Sequence, residues 1–174
     1  MNSSKTEIVR KTNIILIGMP GSGKSTIGPA LAQKLGLGFV DTDDVVLKAA
    51  GTALKDYVAE HGRERFLELQ EQTVTGLQLS GQVIATGGSV GCSKVLMDFL
   101  KSNGYAVYLK LDYSIVEQRL APGRKLVREK GKTLKDLYDQ RTPLYEAFAD
   151  ITVECTNRNV KSIVDEITML LENL

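Results

Sequence analysis

The sequence predicts an α/β fold in which a parallel sheet is covered by helices on both faces. The run from Asn13 to Gly18 is apolar and rich in β-branched residues, as in a strand that is buried on both sides. The segment from Lys24 to Leu35 then has helical spacing, and strand-like and helix-like segments continue to alternate along the chain. This alternation is typical of parallel sheets, in which a helix connects one strand to the next.

The first helix is expected from Lys24 to Leu35, because Ile27, Leu31 and Leu35 recur every four residues and Gly36 suits a left-handed cap. Short apolar runs predict further strands at Phe39–Asp41, Val83–Thr86, Tyr105–Leu111 and Ile151–Glu154. Helical spacing predicts further helices at Asp43–Ala50, Ala53–His61, Gly62–Leu79, Ser93–Ser102, Ser114–Leu120, Leu134–Phe148 and Val160–Leu171. From residue 121 to residue 133 the pattern stops, and Pro, Gly and basic residues predict a mobile basic loop.

Composition limits the class of protein. A chain of 174 residues can bury one sizeable core, so we expect a single domain over residues 1–174. Lys plus Arg (22) nearly balance Asp plus Glu (21), which argues against a nucleic-acid partner. The apolar run from Ile14 to Ile17 is too short for a membrane span or a signal peptide, so we expect a cytoplasmic protein with no membrane partner. Cys92 and Cys155 are interpreted as reduced, structural thiols.

The residues from Gly18 to Ser25, GMPGSGKS, match the phosphate-loop pattern G-x-x-x-x-G-K-[ST] between the first strand and the first helix. In such a loop, backbone N–H groups and the positive end of the helix dipole surround phosphate oxygens. Lys24 can reach the β- and γ-phosphates and Ser25 can ligate magnesium, so the pattern predicts ATP and Mg²⁺ as cofactors. A turn that merely packs tightly has no use for these two residues. The expected nucleotide-binding residues of the loop are Gly21, Ser22, Gly23, Lys24, Ser25 and Thr26.

Other motifs narrow the kind of phosphate-loop protein. A GTPase would usually carry an Asn/Thr-Lys-x-Asp motif, and the nearest match, from Leu109 to Asp112, lacks the first residue. A large ATPase would carry a strand that ends in an acidic pair, but the strand Val83–Thr86 is followed by Gly87 and Gly88. A small-molecule kinase is therefore expected.

A kinase also needs groups that hold and orient the acceptor hydroxyl. Asp41 and Asp43 lie at the end of the second strand, and parallel sheets bind their ligands at this edge. Because the two residues are two positions apart, one can face the metal and the other the acceptor. Alternatively, Asp43 merely caps a solvated helix. Gly87 and Gly88 allow the backbone to approach an acceptor closely. Alternatively, they form an ordinary turn between a strand and a helix.

Basic residues supply the cations that phosphoryl transfer needs. Arg119, Arg124 and Arg141 are the candidates in and around the basic loop. Lys125 and Arg128 are more typical of a solvated surface.

Taken in order, the phosphate loop, the DTD of Asp41 to Asp43, the glycine pair, the basic loop and RTPLYEAFAD resemble the shikimate kinase family. The resemblance extends from about Asn13 to Leu171. It implies a three-layer P-loop kinase fold with a five-stranded parallel sheet, a basic lid at about 119–133 and acceptor-binding helices at about 43–80. It also implies transfer of the γ-phosphate of ATP to a hydroxyl of shikimate, by a monomer whose partner is a small molecule.

The resemblance assigns roles to single residues. It implies that Lys24, Asp43 and Arg124 are catalytic, and that Ser25 and Asp41 hold the metal. It implies that Asp43, Gly87, Gly88 and Arg141 bind the acceptor. It places Arg119 and Arg158 at the adenine of the nucleotide.

The acceptor side departs from the family pattern. Where the family reads roughly G-E-x-x-F-R-x-x-E, this chain reads GRERFLELQ, so Leu67 replaces an arginine and Gln70 a glutamate. Leu47 replaces a further glutamate, and Ser89 a glycine. An alkyl group cannot reproduce a guanidinium contact with a carboxylate. One alternative is therefore a related kinase with a different hydroxylated acceptor. A non-catalytic nucleotide-binding regulator and a nucleotide kinase are further alternatives.

Overall fold

The computed structural model describes residues 11–120 and 131–174, which form a five-stranded parallel sheet in the order β2-β3-β1-β4-β5. The strands are β1 (Asn13–Ile17), β2 (Gly38–Asp41), β3 (Gln82–Ala85), β4 (Gly104–Lys110) and β5 (Ile151–Glu154). All five predicted strands are thus confirmed to within one residue at either end. Residues 121–130, and with them Arg124, Lys125 and Arg128, lie outside the described residues.

Helices cover both faces of the sheet. They are α1 (Lys24–Leu35), α2 (Thr42–Ala50), α3 (Leu54–His61), α4 (Arg63–Thr75), α5 (Lys94–Lys101), α6 (Tyr113–Arg119), α7 (Leu134–Phe148) and α8 (Val160–Leu171). Helix α1 packs against α8, β2 and β3, whereas α4 packs against α5, and α5 and α7 pack against β4. No helix in the described part of the chain is long and apolar enough to cross a membrane.

The predicted helix Gly62–Leu79 was too long at its C-terminal end, because α4 stops at Thr75. The helix is capped at Gly76, and the buried side chain of Asn13 holds the segment that follows. Its amide donates to the carbonyl of Leu79 (3.0 Å) and its carbonyl accepts from the N–H of Gln82 (3.0 Å). These two bonds hold residues 79–82 in the conformation that starts β3, where the apolar spacing alone had suggested further helix.

The central strand β1 fixes the position of the functional edge. All five of its residues are buried, and it lies between β3 and β4 in parallel register. Asp41, the last residue of β2, lies opposite Ala85, the last residue of β3. The loops that follow β1, β2 and β3 therefore meet at one edge of the sheet, the edge at which open α/β sheets bind ligands.

Candidate active site at the carboxyl edge of the sheet

The phosphate loop joins β1 to α1 through glycines in conformations that other residues rarely adopt. Gly18, Gly21 and Gly23 have φ angles of 148°, 79° and 99°. At Gly18 a Cβ would also lie only 2.7 Å from the carbonyl oxygen of Leu109. Helix α1 begins at Lys24 with no side chain capping its first turn. No side chain therefore competes with an anion for the first N–H groups of the helix, where the helix dipole also favours negative charge.

Lys24 is held inside this loop. Its Nζ donates to the carbonyls of Gly18 (2.7 Å) and Met19 (2.8 Å). Burial lowers the pKa of Lys24 to about 8, although the nearby carboxylates of Asp43 and Asp41 act in the opposite direction. The lysine therefore holds its proton at neutral pH but loses it more easily than an exposed lysine does. Bound phosphates would stabilise the protonated form.

Ser25 and Asp41 form a hydrogen-bonded pair of side chains beside the loop. The hydroxyl of Ser25 donates to Oδ2 of Asp41 at 2.9 Å. The other oxygen, Oδ1, accepts from the N–H of Asp43 at 2.9 Å and caps α2. Asp41 is therefore the helix cap, and the alternative that gave this role to Asp43 is wrong. Hydroxyl and carboxylate oxygens suit Mg²⁺, which takes few protein ligands when phosphates complete its coordination.

Asp43 and Arg141 lie against two consecutive glycines. A Cβ on Gly87 would come within 2.1 Å of Oδ1 of Asp43, and one on Gly88 within 2.4 Å of Nη1 of Arg141. Neither glycine is among those with positive φ, so space alone requires glycine here. The space beside the glycine pair is thus occupied by side chains from α2 and α7, and the close approach to an acceptor stays a prediction.

Thr42 and Tyr145 fix this arrangement, and neither is among the site residues expected from the sequence. The buried hydroxyl of Thr42 accepts from the N–H of Gly87 at 2.9 Å, which ties the DTD segment to the glycine pair. The hydroxyl of Tyr145, one helical turn after Arg141, donates to the carbonyl of Gly88 at 3.2 Å. A threonine between two aspartates at a strand end is the signal that could have predicted the first contact.

One cavity of about 650 Å³ unites the two sides of the site. The predicted site residues that line it are Gly21, Gly23, Lys24, Ser25, Thr26, Asp41, Asp43, Gly87, Gly88, Arg119 and Arg141. Ser22 does not line the cavity, because it is buried beneath the loop, where its N–H donates to the carbonyl of Met19 at 3.0 Å.

The two arginines assigned to adenine lie in different surroundings. Arg119, at the end of α6, donates from Nη1 to the carbonyl of Gly21 at 2.8 Å and so contacts the phosphate loop. Arg158 does not line the cavity: it pairs with Glu166 and donates to the carbonyl of Glu154 at 2.9 Å. Arg124, the third arginine with a predicted role at the nucleotide, lies outside the described residues.

Two departures from the family pattern contact each other. Gln70 is only 2% exposed, and its side chain exchanges hydrogen bonds of 2.9 and 3.1 Å with the hydroxyl of Ser89. Leu67, by contrast, is 37% exposed. Leu67 and the Gln70–Ser89 pair line a second cavity of about 340 Å³, which shares Ser89 and Arg141 with the first. Leu47, on the exposed surface of α2, lines neither.

The two cysteines and the histidine do not line the cavity of about 650 Å³, although Cys92 lines the smaller one. Cys92 and Cys155 are free thiols, and burial raises the pKa of both, to about 11 for Cys155. His61 lies on the surface at the end of α3, with its ring 4.4 Å from that of Tyr57.

Known proteins of one family match the chain over nearly its whole length. The family model for shikimate kinase matches residues 20–172. The shikimate kinase of Haemophilus influenzae (strain PittEE) is 34% identical over 173 residues, which cover 96% of each chain. That of Francisella tularensis subsp. holarctica (strain OSU18) is 36% identical, over 94% of this chain and 97% of its own.

Solved structures give the same result. Shikimate kinase from Acinetobacter baumannii in complex with shikimate superposes with a TM-score of 0.83 at 28% identity, over 93% of both chains. A gluconokinase from Sinorhizobium meliloti 1021, at 19% identity and a TM-score of 0.53, shares the fold alone. The chain belongs to the shikimate kinase family.

Proposed function

We propose that the chain transfers the γ-phosphate of ATP to a hydroxyl of shikimate. The observation that carries the proposal is the single cavity in which Lys24, Ser25 and Asp41 face Asp43 and Arg141. The first three residues suit a nucleotide and its metal, and the last two suit a hydroxylated acid. Relatives of similar length that are shikimate kinases support the choice of acceptor.

Each side chain then has a definite task. The residues of the phosphate loop hold the phosphates of ATP, and Ser25 and Asp41 hold Mg²⁺, which neutralises charge on the phosphates. Lys24 donates to the transferred phosphoryl group as charge develops on it. Asp43 orients the acceptor hydroxyl and accepts its proton.

Arginines complete the proposed site. Arg141 donates to the carboxylate of the acceptor, for which a planar guanidinium is well suited. Arg119, through its contact with the phosphate loop, lies where it can pack beside the nucleotide. We also assign Arg158 to the adenine, and Arg124, in the lid at about 119–133, to both substrates. The acceptor-binding helices are those within about 43–80.

The proposal extends to the domain organisation, oligomeric state, location and partners of the protein. We propose a single kinase domain over residues 1–174 that works as a cytoplasmic monomer on a small molecule, without a nucleic-acid or membrane partner. The near balance of basic and acidic residues supports the absence of a nucleic-acid partner.

The direct test is turnover. Purified protein is incubated with ATP, Mg²⁺ and shikimate, ADP release is followed, and mass spectrometry identifies the phosphorylated product. Asp43→Asn is the matched variant, since it keeps the side-chain size and removes the base. We expect phosphorylated shikimate from the wild type and about a hundredfold lower kcat from the variant, with ATP binding retained.

A panel of other acceptors decides between this proposal and its alternatives. Quinate, sugars, polyols, hydroxy amino acids and nucleoside monophosphates are assayed in parallel. Efficient turnover of one of these, with none of shikimate, would replace the acceptor while keeping the kinase. ATP binding without turnover of any acceptor would favour a regulatory protein, a role that the comparisons with catalytic relatives do not favour.

A further inference from the structure

The second cavity lies beside the acceptor and has the character of an anion site. Three of its lining residues are cations, Arg63, Lys132 and Arg141, and Glu71 is the single acidic residue among the described residues that line it. An excess of positive charge in a recess raises the local concentration of anions. Its walls also include the apolar side chains of Leu67, Leu96, Leu137 and Leu144. Apolar walls strengthen the attraction between charges by lowering the local dielectric constant.

Arg63 is placed where it can replace the arginine that position 67 lacks. Arg63, Leu67 and Gln70 are separated by four and three residues on α4 and therefore lie on one face of the helix. All three line the second cavity. This chain therefore carries a guanidinium group one helical turn before position 67, on the same face of α4 and at the same cavity as Arg141.

The second cavity adjoins the acceptor site, because Ser89 and Arg141 line both cavities. An acceptor whose hydroxyl lies at Asp43 can therefore extend its acidic group past Arg141 into the second cavity. The amide of Gln70, held by Ser89, is neutral, so it does not repel a carboxylate as a glutamate would. Lys132, which donates to the side chain of Gln140 at 3.2 Å, adds a further positive charge.

We infer that the second cavity is the carboxylate subsite for the acceptor, in which Arg63, together with Arg141, binds the carboxylate. The inference rests on the proposed function, since it takes a hydroxylated acid as the acceptor. It makes Arg63 a specificity-determining residue of this chain, in a position one turn away from that of the family pattern.

The test compares Arg63→Gln with Arg65→Gln. Arg65 is on the same helix but is exposed, pairs with Glu68 at 3.0 Å and does not line the cavity. The binding of shikimate and of its methyl ester is measured by calorimetry for both variants and the wild type, together with KM and kcat. We expect Arg63→Gln to weaken shikimate binding about 10- to 100-fold, with little change in kcat or in the KM for ATP. We expect Arg65→Gln to behave as the wild type.

The ester separates binding of the carboxylate from a merely structural role. The wild type should prefer the acid to the ester at least tenfold, and Arg63→Gln should lose most of this preference. The double variant Arg63→Gln/Leu67→Arg, which returns the guanidinium to the family position, should regain it. Equal binding of acid and ester by the wild type, or an unchanged preference in Arg63→Gln, would overturn the subsite.

Failure of the proposed function has a different signature. If shikimate is bound but not phosphorylated, the proposed reaction fails and the binding comparison still decides the role of Arg63. Another outcome is that the wild type binds neither shikimate nor its ester. In that case, whichever acid of the acceptor panel the protein phosphorylates replaces shikimate in the same comparison. Phosphorylation of uncharged acceptors alone, or of none, would overturn the subsite.

Discussion

The phosphate side and the acceptor side of the cavity are built in different ways. On the phosphate side, one continuous segment supplies most contacts, and Lys24 is fixed by backbone carbonyls of its own loop. On the acceptor side, Asp43 and Arg141 come from separate helices, and two consecutive glycines leave room for them. Backbone geometry dictates the first arrangement, whereas tertiary packing dictates the second. The phosphate side can therefore tolerate little change, while the acceptor side can be altered one side chain at a time.

The largest effect is expected from Lys24→Met. The variant keeps the length of the side chain but removes the charge that follows the transferred phosphoryl group, so kcat should fall about a thousandfold or more. The free energy of unfolding should change little, because the relief of a buried charge offsets the loss of hydrogen bonds to Gly18 and Met19. Steady-state ADP release and thermal unfolding measure the two effects. ADP release at the wild-type rate would refute the role of Lys24.

The pH dependence of nucleotide binding gives a second measure of the same lysine. Burial lowers the pKa of Lys24 to about 8 in the free protein, and bound phosphates raise it again. ATP therefore binds the protonated form more tightly, and its Kd should rise as pH rises through 8, by up to about tenfold per pH unit. Lys24→Met should bind more weakly at pH 7 and show no such rise. Calorimetry between pH 7 and pH 9.5 compares the two proteins.

An intermediate effect is expected from the glycine pair, where the two substitutions should separate catalysis from binding. Gly87→Ala puts a Cβ where the carboxylate of Asp43 lies, so the orienting group moves and kcat should fall about a hundredfold. Gly88→Ala displaces the guanidinium of Arg141 instead, and should mainly raise the KM for shikimate. ATP binding should be unchanged in both. Equal effects on kcat and KM in the two variants would contradict the separate roles of Asp43 and Arg141.

The same contrast explains how much the sequence could predict. The strands, the bounds of α1, α7 and α8, and the phosphate loop follow from local spacing and from a continuous motif, so they were predictable. The contact between Gln70 and Ser89 was not predictable, because the two residues are nineteen positions apart in the sequence. Taken alone, each of them looks like the loss of a residue that the family has at that position. Only the fold shows that these two departures pair with each other. The end of α4 was missed for a similar reason, since the residues that follow the helix are held by a side chain from β1.

The smallest effect is expected from restoring the glutamate of the family at position 70. In Gln70→Glu, a carboxylate replaces a buried amide that donates to Ser89, and position 67 offers no cation to pair with it. The free energy of unfolding at pH 7.5 should fall by about 1–3 kcal/mol. Gln72→Glu, at an exposed position of the same helix, is the matched control and should change stability by less than about 0.5 kcal/mol.

A lower pH and a second substitution should each reduce the loss of stability in Gln70→Glu. Burial raises the pKa of the new carboxyl group in the folded protein above about 4.3, so the folded state binds more protons than the unfolded state and the defect shrinks as pH falls toward that value. Leu67→Arg, three residues away on the same face of α4, should recover at least half of the loss at pH 7.5 by supplying a cation. Chemical denaturation of the four proteins of this double-mutant cycle, at pH 7.5 and pH 5, measures both effects. Additive losses would mean that positions 67 and 70 changed independently, whereas recovery would mean that the acceptor side exchanged a coupled charged pair for a neutral one.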